Sequence, residues 1–320
     1  MTKRKDNMLK KIGILILMIC AQTSLAQEPF KEQEIAVNPM IDGTLTLPAE
    51  GEASSLVILI AGSGPTDRNS NQPMMRNDAF KKTAHELAGN GIATYRFDKR
   101  IFKMSEFNIK EEDLRFDDFV EDTEAIINYF KENGAFNNIV VAGHSEGSLI
   151  GMLAAKDKAD AFISIAGAGR NIDSVIVEQI GKQAPGLQEN TRESLDEIIA
   201  TGSTSNYNPM LASVFRPGVQ PYLASWINYN PAEEIAKLNI PVLIIQGTSD
   251  IQVETKEAEI LKEAKPDAKL VLLQDMNHVF RKVEEEDRLA NTKTYNEPQR
   301  PLHPNFIPAI TAFIKSLEQK

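Results

Sequence analysis

The sequence has one cysteine, Cys20, and four histidines among its 320 residues. A single thiol cannot form an internal disulfide, and Cys20 lies in a segment that we expect to be removed, so the mature protein has no cysteine nucleophile. Histidine and carboxylate residues do not occur at the spacings of a metal site, and neither G-x-x-x-x-G-K-[ST] nor G-x-G-x-x-G is present. The sequence therefore predicts no metal ion and no cofactor.

A long apolar run is also absent. The run at residues 12–20, "IGILILMIC", follows five basic residues and is short for a membrane span. The small residues of "SLA" make residues 1–26 typical of a secretory signal peptide cleaved after Ala26. An uncleaved N-terminal anchor is the alternative, whereas the bulky Ile19 disfavours lipid attachment at Cys20. We therefore expect a secreted or periplasmic protein with no stable membrane insertion after cleavage.

Basic residues are fewer than acidic ones, and the formal net charge is −10. Removal of the signal peptide, which carries five basic residues and one aspartate, brings the charge to about −14. Such an acidic chain repels nucleic acid and anionic membranes, so we expect no nucleic-acid partner. Hydrophobic residues at 42% and charged residues at 25% are ordinary for a globular protein and argue against disorder.

Short apolar runs recur along the chain at 55–62, 91–97, 138–143, 161–167, 241–247 and 269–273. They are continuous rather than alternating, which is typical of strands buried on both faces of a parallel sheet. Helical patterns lie between them, including one that begins after Asn77 or Asp78. Two earlier runs, "EIAV" and "TLTL", predict a less buried antiparallel edge. This order predicts an α/β fold with a mostly parallel, doubly wound sheet.

The alternation stops between residues 169 and 235, where helical patterns and a proline-bearing stretch replace the buried runs. We interpret this window as a helical lid inserted between two strands of the sheet. The predicted organisation is a signal peptide (1–26), the first part of the core (27–168), the lid (169–235) and the second part of the core (236–320). Phe215, Tyr222 and Trp226 of the lid either line an apolar substrate pocket or form the lid's own core.

The stretch "GHSEG", residues 143–147, matches G-x-S-x-G between a predicted strand and a predicted helix. A strand that turns abruptly into a helix holds its central residue in a strained conformation, and the residues two before and two after must be small. The turn would expose the Oγ of Ser145 at the N-terminus of the helix, whose dipole favours an anion there. The context predicts a nucleophile, and the alternative is a structural turn with an idle serine.

Ser145 needs a base, and His278 is the best placed of the four histidines. It follows the predicted strand 269–273 by a short loop, on the sheet edge that carries Ser145. His144 is predicted to pack under the turn, with its side chain pointing away from Oγ. His85 is predicted to be a surface or half-buried helix residue, and His303 a loop residue between prolines.

The base in turn needs an orienting carboxylate. Asp250 follows the predicted strand 241–247 on the same sheet edge, which makes the chain order Ser145, Asp250, His278. Asp275 is the alternative, although its position is more typical of a loop residue. These three side chains predict attack of a serine on a carbonyl carbon and formation of an acyl-enzyme.

The negative oxygen formed in that attack needs two backbone donors. One is expected to be the N–H of Glu146, which follows the nucleophile. The other is expected from the loop "AGSGPTDRN", as the N–H of Ser63 or alternatively Gly64. Asp67 and Arg68 in this loop are predicted to pair with each other and brace it, and contact with the substrate is the alternative.

With this triad order, the chain resembles the α/β-hydrolase superfamily, and within it the bacterial carboxylesterase and serine aminopeptidase-like branch. The resemblance runs from about residue 35 to the C-terminus and is carried by "AGSGPTDRN", "YRFDKR", "GHSEG", "IPVLIIQGTSDIQV" and "MNHVF". The chain departs from the branch at residues 101–104, which stand where a glycine-rich turn and a serine often follow DKR. The resemblance implies an α/β-hydrolase fold with a variable lid.

These observations predict a secreted or periplasmic serine hydrolase that cleaves carboxylic esters. Its substrate is expected to be a small-molecule or glycan-linked ester. A peptidase or amidase with the same triad is one alternative, for which the sequence supplies no evident acidic pocket for an amine. A catalytically silent binding protein with the same fold is the other.

Overall fold

The computed structural model describes residues 28–284 and 287–319. The predicted signal peptide, its cleavage site and Cys20 lie outside the described residues. The described chain forms one eight-stranded sheet. Its strands are β1 (Phe30–Asn38), β2 (Ile41–Pro48), β3 (Ser55–Ile60), β4 (Ala93–Phe97), β5 (Asn138–His144), β6 (Ala161–Ile165), β7 (Val242–Gly247) and β8 (Lys269–Leu273).

The strands are arranged in the order β1-β2-β4-β3-β5-β6-β7-β8. β2 runs antiparallel to both of its neighbours, and the strands from β4 to β8 pair in parallel. All six predicted strands are present, as is the antiparallel pair near the start. Burial is confirmed for five of the six but is wrong for β8, which lies at the edge of the sheet and is mostly half-buried or exposed. The expectation of low burial holds for β1 but is wrong for β2, which lies between β1 and β4 and is largely buried.

Helices cover both faces of the sheet, as a doubly wound fold requires. The described helices are α1 (Ala79–Ala88), α2 (Phe116–Asn133), α3 (Glu146–Ala155), α4 (Ile172–Gln183), α5 (Gln188–Thr201), α6 (Ala212–Phe215), α7 (Gln220–Ile227), α8 (Pro231–Ala236), α9 (Thr255–Ala264), α10 (Arg288–Lys293) and α11 (Phe306–Leu317). Apolar side chains of α1 and α11 fill the core on one face. Those of α2, α3, α8 and α9 fill the core on the other face.

The window 169–235, all of which the structure describes, contains helices and no strand between β6 and β7. Five of its buried apolar residues form a separate cluster: Leu195, Ile198, Leu211, Phe215 and Leu223. Helix α8 differs, because its Ile235 packs into the main core. We refer to residues 169–230 as the insertion.

The parallel strands bring their carboxyl ends to one edge of the sheet, where loops can combine residues that are far apart in sequence. β3, β4, β5, β7 and β8 all end there. Their loops carry, respectively, Ser63, Lys99, Ser145, Asp250 and His278. Within residues 28–284 and 287–319, no helix has the length and apolarity that a membrane span requires.

Candidate active site

Ser145 occupies a sharp turn between β5 and α3. Its backbone has φ 56° and ψ −121°, a conformation that is uncommon for a residue with a side chain. Its N–H donates to the carbonyl of Ile165 at 2.9 Å, which ties the turn to the end of β6. The strained strand-to-helix turn expected from "GHSEG" is therefore present.

The two glycines of this turn are required by close backbone packing. A Cβ atom on Gly143 would lie 2.0 Å from the carbonyl oxygen of Gly147, and one on Gly147 would lie 2.4 Å from that of Ile60. Neither contact is possible for a real side chain, because the obstructing atoms belong to the backbone. The turn can pass this close to β3 only with glycine at both positions.

His278 and Asp250 form a direct contact at the same sheet edge. Nδ1 of His278 lies 2.7 Å from Oδ2 of Asp250, and both side chains are buried. The other carboxylate oxygen, Oδ1, accepts the N–H groups of Gln252 and Val253 at 2.8 and 2.9 Å. These bonds fix the carboxylate, so that Asp250 can hold Nδ1 of His278 protonated and leave Nε2 as the base.

The alternative carboxylate, Asp275, has different partners. Its Oδ1 accepts from the side chain of Gln274 at 2.8 Å, and its N–H donates to Thr248 at 2.9 Å. Two other histidines are likewise occupied away from the serine. His85 contacts Glu32, and Nε2 of His303 lies 2.9 Å from the carbonyl of Gln274.

His144 packs beneath the turn, as predicted. Its Nε2 donates to the carbonyl of His278 at 3.0 Å, and its ring makes an edge contact with Phe280. Burial, and secondly the nearby His278, hold the pKa of His144 well below its usual value of 6.5. His144 is therefore neutral and supports the backbone of the loop that carries His278.

The expected oxyanion donors lie beside Ser145. Glu146 is the first residue of α3, where backbone N–H groups have no carbonyl from a preceding helical turn. The carbonyl of Ser63 accepts from Oγ1 of Thr66 at 2.9 Å and Nε2 of Gln72 at 2.8 Å, which fixes the loop after β3. Ser63, Ser145 and Glu146 line one cavity of about 190 Å³.

The predicted pairing of Asp67 with Arg68 is wrong. Nη2 of Arg68 lies 2.6 Å from Oδ2 of Asp98, and its backbone N–H also donates to that carboxylate. Oδ1 of Asp67 instead accepts the N–H groups of Asn69 and Asn71. A short acidic side chain is well suited to such local backbone bonds, so the loop is braced by two separate contacts.

A cavity of about 350 Å³ adjoins the oxyanion loop on the side away from His278. Tyr222 and Trp226 line it together with apolar residues of α2 and α4, and Trp226 also lines the cavity that contains Ser145. Phe215 does not belong to this wall. It is fully buried in the insertion's own core beside Tyr207, because its side of α6 faces the other insertion helices.

A third cavity, of about 320 Å³, is lined by both Ser145 and His278. Much of its remaining wall is polar: Thr66, Ser70, Gln72, Asn77, Gln252 and Tyr295. Ser145 thus lies between an apolar region and a polar region.

Three side chains near Ser145 contact one another in a way that the sequence did not predict. Nζ of Lys99 lies 2.7 Å from Oε2 of Glu146, and the hydroxyl of Tyr222 donates to Oε1 of Glu146 at 2.7 Å. A lysine two residues after a buried strand and a glutamate inside G-x-S-x-G were both visible signals. Their contact depends on how the loop after β4 is placed against the start of α3, which the sequence pattern does not contain.

Metal binding is not indicated within the part of the chain that the structure describes. There, no group of three or more His, Cys, Asp or Glu side chains is arranged to hold an ion. The contact of His278 with Asp250 uses a nitrogen and an oxygen that would otherwise be potential ligands.

Comparison with known proteins agrees with this geometry. Residues 76–206, from α1 to α5, match the family described as "Serine aminopeptidase, S33". Esterase EstD of Thermotoga maritima is 30% identical over 260 residues, a match that covers 79% of this chain and 61% of EstD. The chain therefore spans about three fifths of the length of this relative.

Two solved structures show the same fold. Est1E from Butyrivibrio proteoclasticus has a TM-score of 0.56 at 19% identity, covering 90% of this chain and 99% of Est1E. A puromycin-hydrolyzing peptidase of Mycobacterium tuberculosis has a TM-score of 0.56 at 16% identity, covering 90% of this chain and 39% of the peptidase. With the sheet order and the turn at Ser145, these matches show that the chain has the α/β-hydrolase fold and is similar to serine aminopeptidase-like proteins and bacterial esterases.

Proposed function

We propose that the protein is a serine hydrolase that cleaves carboxylic esters, with Ser145 as nucleophile. The observation that carries the proposal is the placement of Ser145 and His278 in one cavity, with His278 hydrogen-bonded to the buried Asp250. The strained turn at Ser145 is a second support, since strain of this kind concentrates at functional sites.

In the proposed reaction, Nε2 of His278 takes the proton of the Ser145 hydroxyl as Oγ attacks the carbonyl carbon. The N–H groups of Ser63 and Glu146 stabilise the resulting oxyanion. The His278 imidazolium, stabilised by Asp250, then gives its proton to the leaving alcohol, and an acyl-enzyme remains. Water activated by His278 attacks this ester, releases the acid and restores Ser145.

The two sides of the site suggest where the parts of the ester bind. The leaving oxygen must receive a proton from His278, so the alcohol part belongs in the polar cavity that contains His278. The acyl part then lies on the side of Tyr222 and Trp226, whose cavity is mostly apolar. An ester with an apolar acyl group and a polar alcohol, either a small molecule or a glycan-linked ester, fits this division.

A peptidase on the same triad is less well supported. An aminopeptidase needs an acceptor for the substrate's ammonium group, and Glu146 is a carboxylate on the wall of the apolar cavity. That carboxylate already contacts Lys99 and Tyr222. The curated relative described above is named an esterase, which also favours ester cleavage.

Matched substrates test this proposal. Purified protein should be assayed with aryl esters and aryl amides that share the same acyl groups, from acetyl to aromatic acids. We expect kcat/KM for each ester to exceed that of its amide by orders of magnitude. Preference for the amides, especially those with a free amine, would favour the peptidase, and hydrolysis of neither would favour a silent binding protein.

We also propose that the protein is exported and processed after Ala26. The support is the basic start, the short apolar run and the small residues of "SLA" in residues 1–26. N-terminal sequencing of the protein recovered from a bacterial periplasm or medium should begin at Gln27. A cytoplasmic protein that retains residues 1–26 would contradict export.

A further inference from the structure

A buried ion pair lies beside Ser145, and the reaction proposed above does not use it. Nζ of Lys99 lies 2.7 Å from Oε2 of Glu146, and the two side chains are only 4% and 2% exposed. Removing two charges from water carries a desolvation cost that their mutual attraction only roughly offsets. A gain in stability therefore does not account for an ion pair placed next to the nucleophile.

Lys99 also contacts the backbone of the oxyanion loop. Its Nζ donates to the carbonyl of Gly62 at 2.5 Å. The peptide between Gly62 and Ser63 is trans, so its N–H, which belongs to Ser63, points opposite to that carbonyl. By holding the carbonyl, Lys99 sets the direction of the Ser63 N–H.

The peptide that Lys99 holds is flanked by glycines, which leave the backbone free to rotate. Gly62 precedes Ser63, and Gly64 follows it with φ +78°. The next peptide group, between Ser63 and Gly64, is held through the carbonyl of Ser63, which accepts hydrogen bonds from Thr66 and Gln72. Lys99 fixes the peptide group between Gly62 and Ser63. Without Lys99, the Ser63 N–H would sample several directions.

Glu146 connects the two proposed oxyanion donors through its contact with Lys99. Its backbone N–H is the other proposed oxyanion donor, and its carboxylate holds Lys99. The same carboxylate accepts the Tyr222 hydroxyl from α7 at 2.7 Å. Burial, and secondly the charge of Glu146, raise the pKa of Tyr222 well above 10, so its hydroxyl remains a donor.

We propose that Lys99 and Glu146 are positioning residues that align the two oxyanion donors, and that Tyr222 couples this alignment to the docking of the insertion. The proposal rests on the proposed function, because it assumes that Ser63 and Glu146 donate to an oxyanion. Alignment of the two donors lowers the free energy of the transition state, because the negative charge develops there.

The test compares Lys99→Met, Glu146→Gln, their double variant and Tyr222→Phe with the wild type. Arg100→Met is the matched control, since Arg100 forms a similar ion pair with Asp122 of α2. The assay measures kcat and KM for an aryl ester, the inhibition constant of a trifluoromethyl ketone, and Tm. The ketone adds to a serine and creates the oxyanion, so its affinity reports on the donors of the folded enzyme.

We expect Lys99→Met to lower kcat by about 10²-fold and to weaken the ketone by a similar factor, with KM changed by less than about threefold. The double variant should lose no more than Lys99→Met, because both changes break one contact. Glu146→Gln and Tyr222→Phe, which keep Nζ of Lys99 near Gly62, should lose less. Arg100→Met should lower Tm and leave kcat unchanged.

Two results would overturn the proposal. One is a Lys99→Met enzyme with lower Tm but with kcat and ketone affinity within about threefold of wild type. The other is a double variant whose loss of kcat and ketone affinity exceeds that of Lys99→Met alone by more than about threefold. A Ser145→Ala arm separates this failure from that of the proposed function: full hydrolysis by Ser145→Ala rejects both, whereas loss there with an unaffected Lys99→Met rejects the positioning role alone.

Discussion

Nδ1 of His278 lies 2.7 Å from Oδ2 of Asp250, although 28 residues separate them in sequence. This contact favours Asp250 over Asp275 as the carboxylate partner of His278, because Asp275 bonds to Gln274 instead. It also assigns the two nitrogens of the ring: Nδ1 donates to the carboxylate, and Nε2 is the nitrogen available to a serine proton.

Asp250→Asn should lower kcat on the order of 10⁴-fold, because an amide nitrogen opposite Nδ1 favours the wrong tautomer of His278. KM should change little, since Asp250 is buried behind the histidine. Asp275→Asn is the matched control and should retain wild-type kcat. Steady-state ester hydrolysis by both variants measures the difference, and equal activity of the two would reject the assignment of Asp250.

Gly143→Ala should destabilise the protein by about 3 kcal/mol or more, because backbone atoms leave no space for the added methyl group. Its Cβ would lie 2.0 Å from the Gly147 carbonyl oxygen. Gly186→Ala, where nothing lies within 4 Å of the added Cβ, should change stability by less than about 1 kcal/mol. Urea denaturation compares them, and an equally stable Gly143→Ala would mean that the turn is looser than described.

Trp226→Ala should shift specificity toward bulkier acyl groups, because Trp226 lines both the cavity of Ser145 and the larger apolar cavity. The ratio of kcat/KM for an aromatic acyl ester to that for an acetyl ester should rise by at least about tenfold. Phe215→Leu, which trims the insertion's core, should lower Tm and leave this ratio unchanged. A change of this ratio in Phe215→Leu but not in Trp226→Ala would mean that the acyl group does not bind beside Trp226.

Stability should fall as the pH drops below about 6.5, because burial keeps His144 neutral in the folded state. Below this pH the unfolded chain binds a proton at this histidine that the folded chain does not bind. The free energy of unfolding therefore falls by up to about 1.4 kcal/mol for each pH unit. Above pH 6.5 this contribution vanishes. His85 and His303 also have lowered pKa values and act in the same direction.

The comparison of wild type with His144→Gln isolates the contribution of His144. Denaturant midpoints between pH 4.5 and 8 should show a shallower acid-side slope for the variant. Identical slopes would mean that His144 is protonated in the folded protein, against its buried environment.

Much of the fold was predictable because it depends on local patterns. Continuous apolar runs of five to eight residues predicted the six parallel strands, and the glycines of "GHSEG" predicted a turn whose steric demands are local. The sheet order of an α/β fold then placed Ser145, Asp250 and His278 on one edge.

The remaining features depend on contacts between distant segments. The partner of Arg68 is Asp98, 30 residues away, and no spacing rule identifies it. Whether Phe215 faces a cavity or the insertion's core depends on how the insertion helices pack. The pairing of Lys99 with Glu146 likewise requires the folded loops.

In the proposed reaction, Ser145 forms the covalent intermediate. Wild-type protein, Ser145→Ala and His278→Gln should each be treated with a fluorophosphonate, digested and examined by mass spectrometry, with ester hydrolysis measured in parallel. We predict stoichiometric modification of the peptide that carries Ser145 in the wild type, slow modification in His278→Gln, and neither modification nor hydrolysis in Ser145→Ala. Hydrolysis at the wild-type rate by Ser145→Ala, or an active wild-type enzyme modified at another residue, would show that Ser145 is not the nucleophile.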